Sequence, residues 1–467
     1  MIKRLFSHTA IYGLAPYVPK VASIVALPIL TKHLTPYDYG INGLITAYTA
    51  AIGVFNTLGL KVVLTNSFFK HEHRYKTVWG QYYGFLSLWN IPYALLVSIL
   101  IYIALPKDVG DKVWLIILLN LIPIVCFGPT SLIATTYYQL KKKPFQIATR
   151  TAFFGVLTIA LNIYTIAYLK LGYMGWFWTN TIVGFLLNLS YWYPLNRKLG
   201  IRPIYNFKWR LIKNSLKVTF PTIPHFYASY LINSSDRLVM DVLKMGTANI
   251  GRYNVAYTLG NNVQTVGMAF NTAIGPMIME QFKKGSEIKA RDLVFFWQAI
   301  FVLFTFGLSL WCKEIMQILI KNESLQATYP LAIIIIMSYN YRPMYVGSIQ
   351  KLLYNEKTTV LWKISFLSGL INIGLNFLLM PFFGYEVAAI TTFIALAFMG
   401  YAGYYFRVFK EINTVNYYPM AWLAVHVGLS FLAYYLVELH LIYKVFISII
   451  LLIGFAAIWL KYKNKLR

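Results

Sequence analysis

The sequence predicts an all-α polytopic membrane protein of fourteen transmembrane helices. They form two six-helix pseudo-symmetric lobes around a central cavity, followed by two C-terminal helices. Three observations predict this fold: the composition, a recurrence of bilayer-length apolar runs, and an internal repeat. Hydrophobic residues make up 58% of the 467 and charged residues only 12%. An ordinary soluble domain carries about a quarter charged residues, so this chain has too little polar surface to coat a water-soluble fold. Disorder is excluded by the same figures, since disordered chains are poor in apolar and aromatic residues. The net charge of +27 would suit nucleic acid if the cations gathered in one soluble module. No such module is visible, so the charge needs a topological explanation.

A membrane helix takes about 20 mostly apolar residues. Such spans occur at 10–31, 40–60, 78–104, 113–138, 151–169, 174–194, 214–235, 253–278, 293–311, 326–349, 360–381, 385–406, 419–437 and 441–460. The N-terminal MIKRLFSHTAIYG lacks a small-residue cleavage site after its apolar stretch and reads as the start of a retained first span. Short cytoplasmic loops carry an excess of Lys and Arg. Placing the N-terminus inside puts Lys61, Lys70, Arg74 and Lys76 there, with Lys141, Lys142, Lys143 and Arg150. Arg197, Lys198, Arg202, Lys208, Arg210, Lys213 and Lys217 join them between spans 6 and 7, as do Lys461, Lys463, Lys465 and Arg467 at the end. An even number of spans then returns the C-terminus to the same side.

The longest loop, 195–213, is too short for a soluble domain, and no Gly-rich loop ending in Gly-Lys-Ser/Thr occurs. The chain is therefore not expected to hydrolyse nucleotide itself. Cys126 and Cys312 read as buried small apolar residues, with no disulfide and no metal site expected.

The second half follows the first. Pro16, Pro19 and Lys20 in span 1 match Pro221, Pro224 and His225 in span 7 at the same spacing. His33 to Gly40 matches Lys244 to Gly251, and Pro129 matches Pro343. Leu161-Asn162 then Gly172-Tyr173 match Leu375-Asn376 then Gly384-Tyr385. Six spans per repeat is even, so the halves share one topology about an axis along the membrane normal. The chain divides into an N-terminal lobe (1–194), a basic cytoplasmic linker (195–213), a C-terminal lobe (214–406) and spans 13 and 14 (407–467). Lobes of this kind enclose a cavity and suit a transporter that rocks between two states. The paired prolines read as kinks or hinges beside that cavity; their competing reading is packing alone.

Several stretches carry a family resemblance. They are Leu27-Pro28-Ile29-Leu30-Thr31 through Gly40, Ser235-Asp236-Arg237, Gly251-Arg252-Tyr253-Asn254-Val255-Ala256-Tyr257, and the repeated Leu-Asn then Gly-Tyr. Together they resemble the polysaccharide-exporter family, the Wzx-type flippases, in the superfamily that also holds the MATE exporters and the MurJ-type lipid II flippases. The resemblance implies an inner-membrane flippase, and no enzyme. It would move undecaprenyl-pyrophosphate-linked oligosaccharide, of O-antigen or capsule type, from the cytoplasmic to the periplasmic leaflet. The implied partners are that lipid-linked glycan, membrane lipids, and the polymerase and chain-length machinery.

Ionisable residues at mid-bilayer are costly and read first as functional. Lys20 lies about 15–22 Å along span 1 at 1.5 Å per residue, and Arg342 is at a similar depth in span 10. His225 is the repeat partner of Lys20. A cationic, acid-poor cavity suits a diphosphate, with Arg as a bidentate fork and Lys as a point charge. The competing reading of each is snorkelling or a private hydrogen bond. Asn254, Thr258, Asn261, Asn262 and Thr265 form a polar stripe on span 8 suited to sugar hydroxyls, or to joining helices. Asp236 and Arg237 read as a salt bridge or cap at the outer rim, and His426 in span 13 as structural. No cofactor is expected; coupling to membrane potential, H+ or Na+ is open, with no buried carboxylate in spans 1–6 to bind a cation. Two alternatives remain. A cation-coupled drug exporter of the same fold would want buried acids in its cavity. A membrane glycosyltransferase or polymerase would have to use Asp108 and Asp111, which look like solvated loop charges.

Overall fold

The structure is a computed structural model that describes residues 17–70, 73–357 and 359–465. Among these every element of regular structure is a helix, with no β-sheet. It divides into two compact units, Met1–Tyr227 and Ala228–Arg467, and each is described by itself.

The first unit contains α1 (Tyr17–His33), α2 (Pro36–Thr57), α3 (Lys61–Lys70), α4 (Tyr75–Ala104), α5 (Lys112–Phe127), α6 (Thr130–Leu140), α7 (Pro144–Asn162), α8 (Met174–Tyr193) and α9 (Trp209–Thr219). The division falls within α10 (Ile223–Asn233). The second unit continues with α11 (Ser235–Val242), α12 (Thr247–Lys283), α13 (Glu287–Leu310), α14 (Cys312–Leu319), α15 (Tyr329–Ser338), α16 (Arg342–Tyr354), α17 (Thr359–Phe383), α18 (Val387–Tyr401), α19 (Pro419–Leu436) and α20 (Leu441–Lys465).

Among the described residues the expected spans fall largely on helix, but not always on one unbroken helix, and residues 10–16 of span 1 lie outside the described residues. Eight helices among the described residues are long and apolar enough to cross a membrane, or nine if α5 and α6, bent by 50°, count as one. The others fall short for visible reasons. Span 4 bends at Gly128-Pro129, where Gly128 has a φ of +46° and the proline has no N–H to give. Spans 7 and 10 are interrupted by 3-10 turns at Phe220–Thr222 and Tyr339–Tyr341. In α8 and α12 the apolar residues are diluted by Asn, Thr and Gly.

Repeat motifs meet in space within the first unit. Thr35 caps α2 in a capping box: its N–H donates to Asp38 Oδ2 at 2.7 Å, and Asp38 N–H returns a bond to Thr35 Oγ1 at 3.3 Å. The other Asp38 oxygen accepts from the Tyr173 N–H at 2.9 Å. Gly172, at a φ of +55°, lies so close that a Cβ would sit 2.9 Å from Asp38 Oδ1. The loop after span 1 and the Gly-Tyr turn between spans 5 and 6 are therefore two sides of one joint.

Residues 199–208, which look like a free connector in the sequence, are laid against α4. Ile204 N–H donates to the Gly80 carbonyl at 2.8 Å, and Lys208 N–H to Gln81 Oε1 at 2.9 Å. A Cβ on Gly84 would lie 2.1 Å from the Ile204 carbonyl oxygen, so only glycine admits the strand there. Beyond it α9 buries Ile212 in a cluster with Trp79, Tyr82, Tyr137 and Ile201.

In the second unit, α19 and α20 are held by polar contacts, some buried and some exposed. Lys444, fully buried, pairs with Glu314 at 2.5 Å. Lys313 and Tyr329 both donate to Glu438. His426 is buried against the Met337 carbonyl at 2.8 Å. Cys312 is buried as expected; Cys126 is exposed, a correction to its reading as a buried residue, since it sits two residues before the Gly128 break, where α5 ends.

Candidate functional site

Arg342 opens α16 immediately after the 3-10 turn. A broken helix frees backbone carbonyls, and α13 supplies donors that satisfy the break. Gln298 Nε2 donates to the Asn340 carbonyl at 3.0 Å, and Thr305 Oγ1 to Asn340 Oδ1 at 3.0 Å. The half-buried Arg342 lies over Gly267 of α12, where a Cβ would come within 2.8 Å of its Cδ. One Nη donates to the Tyr341 hydroxyl at 3.3 Å, and the guanidinium stands 5.6 Å from that ring. The buried Nε has no hydrogen-bond partner. Among the described residues Arg342 joins none of the ion pairs. A guanidinium has five N–H donors, and most of these remain for an anion.

Asp236 is the second centre, and here the structure corrects the sequence reading. It is 0% exposed and forms no ion pair with Arg237 among the described residues. It lies in the first turn of α11, just after the irregularity at Ser234 that separates α10 from α11. Instead α12, α17 and α18 surround it. Asn372 and Asn376, one turn apart on α17, donate to Asp236 Oδ1 at 2.7 Å each. Tyr253 OH and Thr392 Oγ1 donate to Oδ2 at 2.6 and 3.2 Å. Thr391 in turn donates to Asn376 Oδ1. Arg237 turns to Asn254 Oδ1 at 2.8 Å and the Asn233 carbonyl at 3.0 Å, with its guanidinium 4.5 Å from the Tyr257 ring centre.

Four donors replace the water that a buried carboxylate loses. The same side chains carry oxygens: Asn372 Oδ1 is buried without a partner, and an amide turned over presents that oxygen instead of its N–H₂. The cluster can therefore hold an anion by itself, or accept a proton or a small hard cation at Asp236.

The remaining expected residues fall as follows. Lys20 is half-buried in the first turn of α1, in the first unit, with its carbonyl accepting from Ser23 at 2.8 Å. His225 lies in the first turn of α10. Pro19 packs on α7, where a Cβ on Gly155 would lie 2.4 Å from it. Pro16 is outside the described residues. Pro221 sits in the 3-10 turn and Pro224 in the first turn of α10. Asn254 is engaged by Arg237, while Asn261 is exposed and Asn262 half-buried on α12. Within the second unit, then, the structure joins Asn254 to the surroundings of Asp236 through Arg237. Sequence reasoning missed Tyr253, Asn372, Asn376 and Thr392 as partners of Asp236, and Thr391 as the partner of Asn376. The visible signal was the i, i+4 pair Asn372/Asn376 in the apolar second half of its helix.

Solved structures share this fold. The lipid II flippase MurJ in an inward closed conformation matches with a TM-score of 0.67 at 14% identity, over 91% of this chain and 97% of that one. An inward-facing multidrug resistance MATE family transporter of the MOP superfamily matches at 0.58 and 12%, over 90% and 96%. A mutant of the Vibrio cholerae MATE transporter VcmN matches at 0.53 and 13%, over 88% and 96%. No curated protein matches the chain. The family model described as polysaccharide biosynthesis protein matches residues 5–282, more than half of the sequence, and the chain belongs to that family.

Proposed function

We propose that the chain is a flippase. It moves undecaprenyl-pyrophosphate-linked oligosaccharide from the cytoplasmic to the periplasmic leaflet of a bacterial inner membrane by alternating access, with both termini cytoplasmic. The observation that carries the reading is Arg342, a guanidinium at a stitched helix break with donors to spare and no ion-pair partner among the described residues. Membership of the polysaccharide biosynthesis protein family supports a glycan-bearing substrate, and the fold shared with a lipid II flippase is consistent with a lipid-linked one. Lys20 is proposed as a second contact to the diphosphate and His225 as a third. Asn261 and Asn262 are proposed to meet sugar hydroxyls, while Asn254 contributes through Arg237. Transport is coupled to H+ or Na+, with Asp236 and its amide and hydroxyl partners as acceptor, or is driven by membrane potential alone.

The test is transport in reconstituted vesicles. A fluorescent diphosphate-linked glycan lipid should become protected from a membrane-impermeant quencher when the wild type is present. Lys20→Ala combined with Arg342→Ala should abolish that protection. Unchanged movement by the double variant would remove the proposed site. Movement of a cationic dye with no movement of the glycan lipid would favour a drug exporter.

A further inference from the structure

We infer that α9 and the basic strand before it form a docking surface for anionic lipid headgroups of the cytoplasmic leaflet. Its sidedness rests on the orientation proposed above. The surface begins with composition: residues 195–222 contain Arg197, Lys198, Arg202, Lys208, Arg210, Lys213 and Lys217 and not one Asp or Glu. Topology alone would be served by these charges on a floppy loop. Here they are mounted on a fixed element. Ile212, Ser215 and Thr219 are buried on one face of α9, and Ser215 Oγ meets Tyr82 OH of α4 at 2.7 Å. At 3.6 residues per turn the opposite face carries Arg210, Lys213 and Lys217, all exposed. Trp209 and Phe220, about three turns apart, fall on the same flank beside that face and are 60% and 62% exposed.

The helix thus has three sides: one packed on the protein, one cationic, and one largely exposed aromatic edge, whose Trp209 ring also meets Phe85 of α4 edge-on at 6.1 Å. An amphipathic helix lying in a membrane interface needs that combination, with aromatic rings at the acyl boundary and cations at the phosphates. Charge complementarity selects the occupant. A phosphatidylglycerol-type surface is anionic, and no carboxylate in the segment competes for the lysines.

The experiment compares full-length protein in vesicles of phosphatidylcholine alone and of phosphatidylcholine with phosphatidylglycerol. Lipid retained on the protein is quantified by mass spectrometry after mild extraction. Wild type should retain phosphatidylglycerol selectively, and salt should strip it. Each cation removed should weaken retention about fivefold, the equivalent of ~1 kcal/mol per residue, so Arg210→Gln with Lys213→Gln and Lys217→Gln should lose it. Equal retention by wild type and the triple variant would overturn the inference. So would an equal loss when Lys141, Lys142 and Lys143 are changed to Gln instead. Labelling of Asn214→Cys by an impermeant maleimide reports the orientation separately. Lipid selectivity with labelling from the outer side would sink the orientation and the cytoplasmic assignment together. Labelling from the inner side without selectivity would sink the docking surface alone.

Discussion

Asp236 and Arg342 differ in what the fold has already done for them. Around Asp236 every carboxylate oxygen is engaged by Tyr253, Asn372, Asn376 and Thr392. Asp236→Asn keeps the shape and removes the charge, so flipping should persist while its response to an imposed Na+ or pH gradient disappears. Vesicle transport with and without each gradient measures this, and an undiminished response would show that coupling lies elsewhere. Arg342 instead depends on the bare Cα of Gly267. Gly267→Ala would place a methyl 2.8 Å from Arg342 Cδ and should lower transport while the protein still purifies as a monodisperse species. Of the two centres only Arg342 is legible in the sequence, because a lone cation deep in an apolar run stands out by counting. Asp236 is hidden because an acid next to an arginine reads as an ion pair, and the sequence does not show which helices pack around it. Tyr253 is 17 residues away, but Asn372, Asn376 and Thr392 lie over a hundred residues along the chain.

At the level of elements, spans 13 and 14 look like an appendage in sequence because they lack repeat partners. The ion pair of the buried Lys444 with Glu314, and the exposed one of Lys313 with Glu438, bind them to the rest of the second unit. Glu314→Gln leaves the buried Lys444 ammonium uncompensated and should cost about 3 kcal/mol, read as a lowered unfolding midpoint in detergent. Glu438, between those spans, is held below the usual glutamate range by hydrogen bonds from Lys313 and Tyr329. A depressed carboxylate pKa contributes stability above the unfolded value of about 4.3, and that contribution is lost as pH falls through the lower folded value. The wild type should therefore melt above Glu438→Gln at neutral pH and converge with it in acid; a gap that persists at low pH would contradict the linkage. The segment His33 to Gly40 and the Gly172-Tyr173 turn were legible as repeat motifs, though not the capping box within the first. Their meeting through Asp38 was not, since spacing along the chain says nothing about which loops touch.

Across the whole chain, the duplication is imperfect in a revealing way. The register that pairs Lys20 with His225 also pairs Thr31 with Asp236, so the buried carboxylate belongs to one half only. Asn162, the counterpart of Asn376, is left with an unpartnered buried Oδ1. The coupling role proposed for Asp236 would on that account be confined to one repeat. If the moving species is anionic, an inside-negative potential favours outward transfer by about 2.3 kcal/mol per charge per 100 mV. Flipping in vesicles clamped with potassium and valinomycin should quicken accordingly and slow when the sign is reversed; indifference to voltage would mean that the charge crosses compensated. The segment laid on α4 has its own bearing on movement. A rope nailed down along its length has no slack to give, and residues 199–219 are fastened through Gly80, Gln81, Gly84 and Tyr82. The turn that holds Pro221 is where the chain first leaves these fastenings. Two glycines inserted there should disturb transport, whereas a disulfide clipping the segment to α4 should leave it running.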